Sequence, residues 1–440
     1  MINQVEYYRH PAVRKRIRRF VSPASYIVGY GESEIWRGNT KGHYTAPVSG
    51  LDRMLDHGLD ILTCLDRRDG TIGLLDIEYY NPRYPGEAHL NPARVFHLLE
   101  PMYARIMNLF RRFGIPVMAD ITGQGYHFWC RFPFGSDHRG LEELGRLEST
   151  LASAYRRRRV PLSRALGFSG MGRLMLFLAS EILREVSAAR TSGEKILPVY
   201  FSDIHPPYGR DAVSLDLTTY ADPIYMRDVR VPFSTYQKHK VLVDKVGQRN
   251  ARRIPIEILV PRAVPGRPDL TLDRALKLRR HFHAAAELAE SVDPWPPDAS
   301  DGLLRAIDAY RSSRIGAFFH YFDQGAARPA RVYSRKLPPC IRHALNPWEL
   351  LEPTQAQAAV RVLDKMGFHP KEIAELFYRK YRRTPFGHYN PQRRAYFWVE
   401  SYAALIHAGV DMKRDINCRD HQARNRCVRP DCGWSLAKYR

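Results

Sequence analysis

The chain has 440 residues, with 68 Lys and Arg against 46 Asp and Glu, a net charge of +22. That length allows two or three domains with a sizeable core, and 44% hydrophobic residues exclude wholesale disorder. No run reads as the ~18 apolar residues of a membrane span, and an opening with Arg9, Arg14, Lys15, Arg16, Arg18 and Arg19 is not a secretory leader. The expectation is a soluble, cytoplasmic, nucleoid-associated protein with a polyanionic partner, nucleic acid first, and no membrane.

In chain order, Arg14–Arg19 reads as a basic run on a helix. Leu74–Glu78 (LLDIE) reads as a strand. Val95–Phe113 carries Met102, Ile106, Phe110 and Phe113 at helical spacing and ends at Gly114, a C-cap residue. Tyr126–Phe132 is a second strand, Arg156–Arg159 a second basic run, and Ala212–Thr218 a third strand. A soft break falls near Pro261–Pro268, followed by a basic helix over Thr271–Glu290 with the run Lys277–Arg280. Ser291–Gly302, with Pro294, Pro296 and Pro297, reads as a linker. Beyond it, Thr354–Gly367, Lys371–Lys380 and Arg393–Gly409 read as helices with no comparable strands. The fold class is α+β, a mixed half followed by a mostly helical one.

Three pieces of the mixed half carry chemistry. Asp76 and Glu78 sit two apart on a strand, so their carboxylates share a face and repel unless a cation intervenes. A hard cation such as Mg²⁺ or Mn²⁺ would relieve that, and an exposed strand face is the plain alternative. Thr122-Gly123-Gln124-Gly125-Tyr126-His127 puts a hydroxyl, a glycine turn and an imidazole before a strand, a set that suits a phosphate, or else a simple turn. Asp216 lies between two leucines on the third strand, with Arg227, Arg230, Ser234 and Lys238 following.

Cys64 and Cys130 read as buried apolar residues, whereas Cys340, Cys418, Cys427 and Cys432 cluster late in the chain. Cys418, His421, Cys427 and Cys432 could form a zinc knuckle, or the four cysteines could share an iron–sulfur cluster, with Cys340 brought from 78 positions upstream of Cys418.

The order Asp-x-Glu, Gly-x-Gly-x-His, then hydrophobic-Asp and Arg-x-Pro-x-Ser resembles the archaeo-eukaryotic primase superfamily. The resemblance implies Asp76, Glu78 and Asp216 as catalytic ligands of Mg²⁺ or Mn²⁺. It implies Thr122, Gly123, Gly125, His127, Arg230, Ser234 and Lys238 as nucleotide contacts. Where many members carry a histidine after the serine, this chain has Tyr236, and no cysteine lies between Cys130 and Cys340 for the zinc insertion of many catalytic subunits.

Leu337-Pro338-Pro339-Cys340-Ile341-Arg342, a long helical stretch and a late group ending Cys432-x-x-x-Leu436-x-x-Tyr439 look like the C-terminal domain of the primase large subunit. That resemblance favours a 4Fe–4S cluster on Cys340, Cys418, Cys427 and Cys432 over zinc, and gives Arg342 to template and initiating nucleotide. The implied layout is a catalytic domain over 1–265, a basic helix and linker over 266–302, and an iron–sulfur domain over 303–440. The implied function is a single-chain DNA primase and primase-polymerase, acting on single-stranded DNA and nucleoside triphosphates beside a helicase or other replication proteins. The alternatives are a repair or translesion enzyme that extends existing ends, and a non-catalytic single-strand-binding relative.

Overall fold

The computed structural model describes residues 3–31, 43–202, 211–241, 246–328, 337–346, 351–383, 389–410 and 416–440. The strands, in chain order, are β1 (Ile27–Tyr30), β2 (His43–Ala46), β3 (Asp60–Cys64), β4 (Thr71–Tyr80), β5 (Met118–Ile121), β6 (Gly125–Phe132), β7 (Val199–Phe201), β8 (Ala212–Asp216), β9 (Asp228–Arg230), β10 (Thr235–Tyr236), β11 (Glu257–Ile258) and β12 (Val260–Ala263). Six of them form the main sheet, in the order β12-β5-β6-β4-β8-β7, antiparallel except for the parallel edge β7–β8. A smaller antiparallel sheet runs β2-β1-β3-β9. The architecture is α+β.

The main sheet has one apolar face and one mixed face, as strand alternation dictates. Leu75 and Ile77 of β4 and Tyr126 and Phe128 of β6 are buried on the first. It is covered by two helices, Pro92–Phe113 and Leu162–Thr191. Tyr103 lies over Tyr126 with ring centroids 4.9 Å apart, and Gly73 leaves room for Met171, Met175 and Cys130. Gly114 takes the left-handed conformation (φ 64°) that closes the first helix, as its sequence position predicts. By length and composition the Leu162–Thr191 helix could cross a membrane, a candidate the sequence reading did not register. Its apolar window is 78% buried, and its place here is the core between the main sheet and later helices.

Two segments expected as separators are built into the body. Pro261 lies in the edge strand β12, paired with β5 through a register shift between Pro261 and Ala263, a place where the missing N–H is tolerated. The Pro-rich stretch is a strap: Arg131 N–H donates to Pro297 O (2.9 Å), Ala299 N–H donates to Arg131 O (2.9 Å), and Trp295 packs under Arg67 and against Phe20. The basic helix is two helices, Leu272–Leu278 and Phe282–Ser291, parted at Arg279–His281.

No strand follows Gly302 among the described residues; the helices there include Pro353–Lys365, Pro370–Tyr381 and Pro391–Ala408. The last of these docks on the mixed half through charge. Arg393 is buried between Glu148 and Glu400, and Arg394 makes two 2.7 Å bonds to Asp222. One continuous apolar core runs from Tyr7 to Leu436.

Candidate active site

The main sheet's mixed face carries a polar row across four strands. Asp120 (β5) is opposite His127 (β6), His127 is opposite Asp76 (β4), and Asp76 is opposite Asp216 (β8). Antiparallel partners share a face, so three carboxylates and one imidazole stand side by side in ordinary strand geometry. Glu78 lies one step along on the same face, opposite Gly125 and Ser214. The three acids named from sequence thus meet, although Asp216 is 140 positions from Asp76.

His127 Nε2 lies 3.6 Å from Asp76 Oδ2. Burial disfavours the imidazolium, but Asp76, Asp120 and Glu78 outweigh it and hold the His127 pKa above its usual value. Asp76 Oδ1 is buried with no hydrogen-bond partner. Asp216 is capped from its own chain: Thr218 N–H donates to Oδ1 (2.7 Å) and the Thr218 hydroxyl to Oδ2 (3.1 Å). Facing carboxylates with an orphaned buried oxygen fit a divalent cation. No group of three or more His, Cys, Asp or Glu side chains is already gathered as a metal cage among the described residues.

Sequence reasoning missed Asp120. It is fully buried, and burial drives its pKa up to about 7 against the opposing pull of His127 and the Trp129 N–H bond at 2.7 Å. An acid ending the apolar run Val117–Ala119 was the available signal.

The glycine turn lies beside the row, and its glycines have steric reasons. A Cβ on Gly123 would fall 2.4 Å from the Tyr236 ring, and one on Gly125 would fall 1.7 Å from Ile77 O. The Thr122 hydroxyl accepts from Gly125 N–H (3.0 Å), so it ties its own turn. Behind the turn is an ion cluster with no sequence signal. Arg279 is fully buried and donates to Gly123 O (2.5 Å) and to Glu257, which also holds His89 (2.8 Å) and Arg280. Burial alone would raise the Glu257 pKa; Arg279, His89 and Arg280 bring it down to about 2.

The remaining nucleotide candidates divide. The Arg230 guanidinium lies 4.4 Å over the Tyr236 ring and pairs with Asp60 at 3.0 Å. Tyr236, at the position where a histidine was looked for, is therefore the spacer between Arg230 and Gly123. Lys238 is exposed at the start of a short helix, Lys238–Val241. Ser234 is inside the protein: Ile61 N–H donates to its hydroxyl (2.7 Å), which donates to Thr235 O (3.1 Å), so it presents nothing to a ligand.

Arg342 is exposed on the helix Pro339–Ala344. Cys340, Cys418, Cys427 and Cys432 are free and part-buried. Burial, then Cys427 and Cys418 as charged neighbours, pushes the Cys340 thiol up to about 11. Cys418 Sγ accepts from Leu436 N–H (3.4 Å). His421 is buried with both ring nitrogens lacking a hydrogen-bond partner. Arg426, beside Cys427, is buried and pairs with Glu352.

No family model and no curated protein matches the chain. Among solved structures it is similar to the polymerase domain from Mycobacterium tuberculosis ligase D in complex with DNA. The TM-score is 0.34 and the identity 11%, over 66% of this chain and 92% of that one. At that score the likeness says nothing about activity, and the site stands on its own residues.

Proposed function

We propose that the chain is a DNA-dependent primase-polymerase, which makes primers on single-stranded DNA by nucleotidyl transfer to a 3′-hydroxyl with release of pyrophosphate. The observation that carries the reading is the row Asp120–His127–Asp76–Asp216 beside the Gly123–Gly125 turn. Asp76, Glu78 and Asp216 are the residues that would hold Mg²⁺ or Mn²⁺. Such ions supply a more acidic attacking hydroxyl and charge neutralisation of the leaving group.

The chain's own contributions follow from its geometry. His127, whose pKa its carboxylate neighbours raise above the usual value, can offer a cation to phosphate oxygens. Gly123 and Gly125 leave the turn bare for close approach. Arg230, over the Tyr236 ring and paired with Asp60, is a second basic group near the turn. The helical part, fastened to the mixed half through Arg393 and Arg394, suits a module that helps hold a first nucleotide. Without a primer two nucleotides must be positioned together, and a tethered second grip raises their effective concentration.

The test is synthesis on unprimed single-stranded DNA with Mn²⁺, wild type beside Asp76→Asn, run with ribonucleotides and with deoxynucleotides. Wild type makes product and the variant loses at least about a hundredfold, the scale set by removing one preorganised electrostatic group. Equal product from both, or none from either, overturns the assignment.

A further inference from the structure

Of the three basic runs in the sequence, two are spoken for. Arg14 and Arg18 pair with Asp52, and Arg16 and Arg19 pair with Asp293. In Lys277–Arg280, Arg279 and Arg280 are bound to Glu257. The third, Arg156–Arg159, is exposed at all four positions, and none of the four is in an ion pair among the described residues.

This run borders a groove of about 690 Å³. Its basic wall is Arg68, Arg158, Arg159 and Arg164, and its floor includes Tyr26 and Tyr225. Two acids line it. Asp66 is already bonded to Arg164 (2.7 Å) and to the Ser25 hydroxyl (2.6 Å), and Asp228 is the other. The Arg158 guanidinium lies 4.9 Å over the Tyr225 ring, and the Tyr225 carbonyl accepts from the Tyr26 hydroxyl (2.6 Å). That places a guanidinium over a tyrosine ring at the groove, a cation–aromatic pair of the kind on which nucleobases stack. Arg159 has a left-handed backbone (φ 55°), a conformation a β-carbon disfavours, and it turns this arginine out at the helix end.

The groove joins the site through the small sheet. Asp228 borders the groove, and Arg230, two residues along β9 on the same face, packs on Tyr236 and Tyr30. Tyr236 covers Gly123. A path therefore leads from the glycine turn, over Tyr236 and Arg230, to Tyr26 and the arginine wall. We propose that this groove binds single-stranded DNA, with phosphates on Arg68, Arg158 and Arg159 and a base on the Arg158–Tyr225 platform, and that it delivers the template to the site. Calling the strand a template rests on the primase-polymerase reading; the binding does not, and the two fail separately.

The experiment is fluorescence anisotropy of the full chain with a labelled single-stranded oligodeoxynucleotide, without nucleotide or divalent cation. Arg158→Ala/Arg159→Ala binds about tenfold more weakly, and its log–log salt slope is shallower by about 1.4, from about 0.7 per lost phosphate contact. Arg111→Ala/Lys195→Ala, which removes the same charge elsewhere, stays within about twofold. Tyr225→Ala weakens binding about tenfold and Tyr225→Phe restores it, because stacking needs the ring and not the hydroxyl. Asp76→Asn binds as wild type. Unchanged affinity in the groove variants, an equal loss in the distant pair, or duplex bound as tightly as single strands overturns the groove. Binding that follows this pattern in a chain that synthesises nothing leaves the groove standing and removes the polymerase.

Discussion

A carboxyl group with no exposure and a single hydrogen bond is costly to ionise, and Asp120 is such a group. Its place in the row explains the tolerance: its charge helps raise the His127 pKa beside Asp76. The cost has a definite pH signature. The folded pKa is raised to about 7 from an ordinary 3.8, so ionisation opposes folding above the unfolded value. The penalty is absent below about pH 4, grows between pH 4 and 7 and is complete above 7. Asp120→Asn keeps an oxygen for Trp129 and removes the penalty. We expect its Tm to exceed wild type by about 2 °C or more at pH 8, with the gap closing as pH falls to 4, while synthesis drops. Thermal melts across pH check this; a gap independent of pH would assign the effect to packing. Asp76, Glu78, His127 and Asp216 were legible in the sequence because charged or polar groups on apolar strands stand out. Asp120 was not, because its partner is fixed by strand register, which is non-local. Ser234 misled for the converse reason: a serine after Arg-x-Pro looks the same whether it faces a ligand or, as here, satisfies Ile61 N–H.

At the scale of elements, the glycine turn is held from behind by a part of the chain with no apparent tie to it. Arg279 ends the helix Leu272–Leu278 and reaches Gly123 O, with Glu257 as its counter-ion. Strands β4, β6 and β8 and the helix ending at Gly114 were readable from periodicity and caps. The run Lys277–Arg280 read as a surface feature, since nothing local distinguishes a buried arginine from a solvated one. The edge strand β12 hid behind Pro261 for a similar reason. The Glu257 cluster has the opposite pH sign to Asp120. Its folded pKa is lowered to about 2 from an ordinary 4.5, so its stabilisation is present above 4.5 and is lost as pH falls towards 2. Glu257→Gln leaves Arg279 buried without its charge partner, at a cost of about 3–5 kcal/mol. We expect denaturant melts to show that difference at pH 7 and to show it shrinking below pH 4.5. At neutral pH the variant's KM for nucleoside triphosphate rises more than its kcat falls, because the turn loosens while the acids stay. An unchanged KM would make the cluster a stability element alone.

At the scale of the whole molecule, the helical part is fastened to the acidic sheet. Arg393 between Glu148 and Glu400 is a largely buried triad, and such a group specifies a docking geometry more than it adds stability. The cysteines were conspicuous in sequence, but what they hold is decided by which thiols converge. Cys427 and Cys418 both act on Cys340, which stands 78 positions before Cys418. A cluster shared by all four would draw on Cys340, and a knuckle confined to the tail would not. His421, buried with both ring nitrogens unpartnered, is the residue the knuckle would need instead. Metal held by residues so far apart in sequence couples to folding, since the unfolded chain has no such site. Protein purified anaerobically should be brown with about four iron per chain. Cys340→Ser should lose the colour and melt at a lower temperature than the loaded wild type, while His421→Ala keeps its iron. A colourless protein whose single zinc survives Cys340→Ser and leaves in His421→Ala would move the metal to the tail and end the link between its two halves.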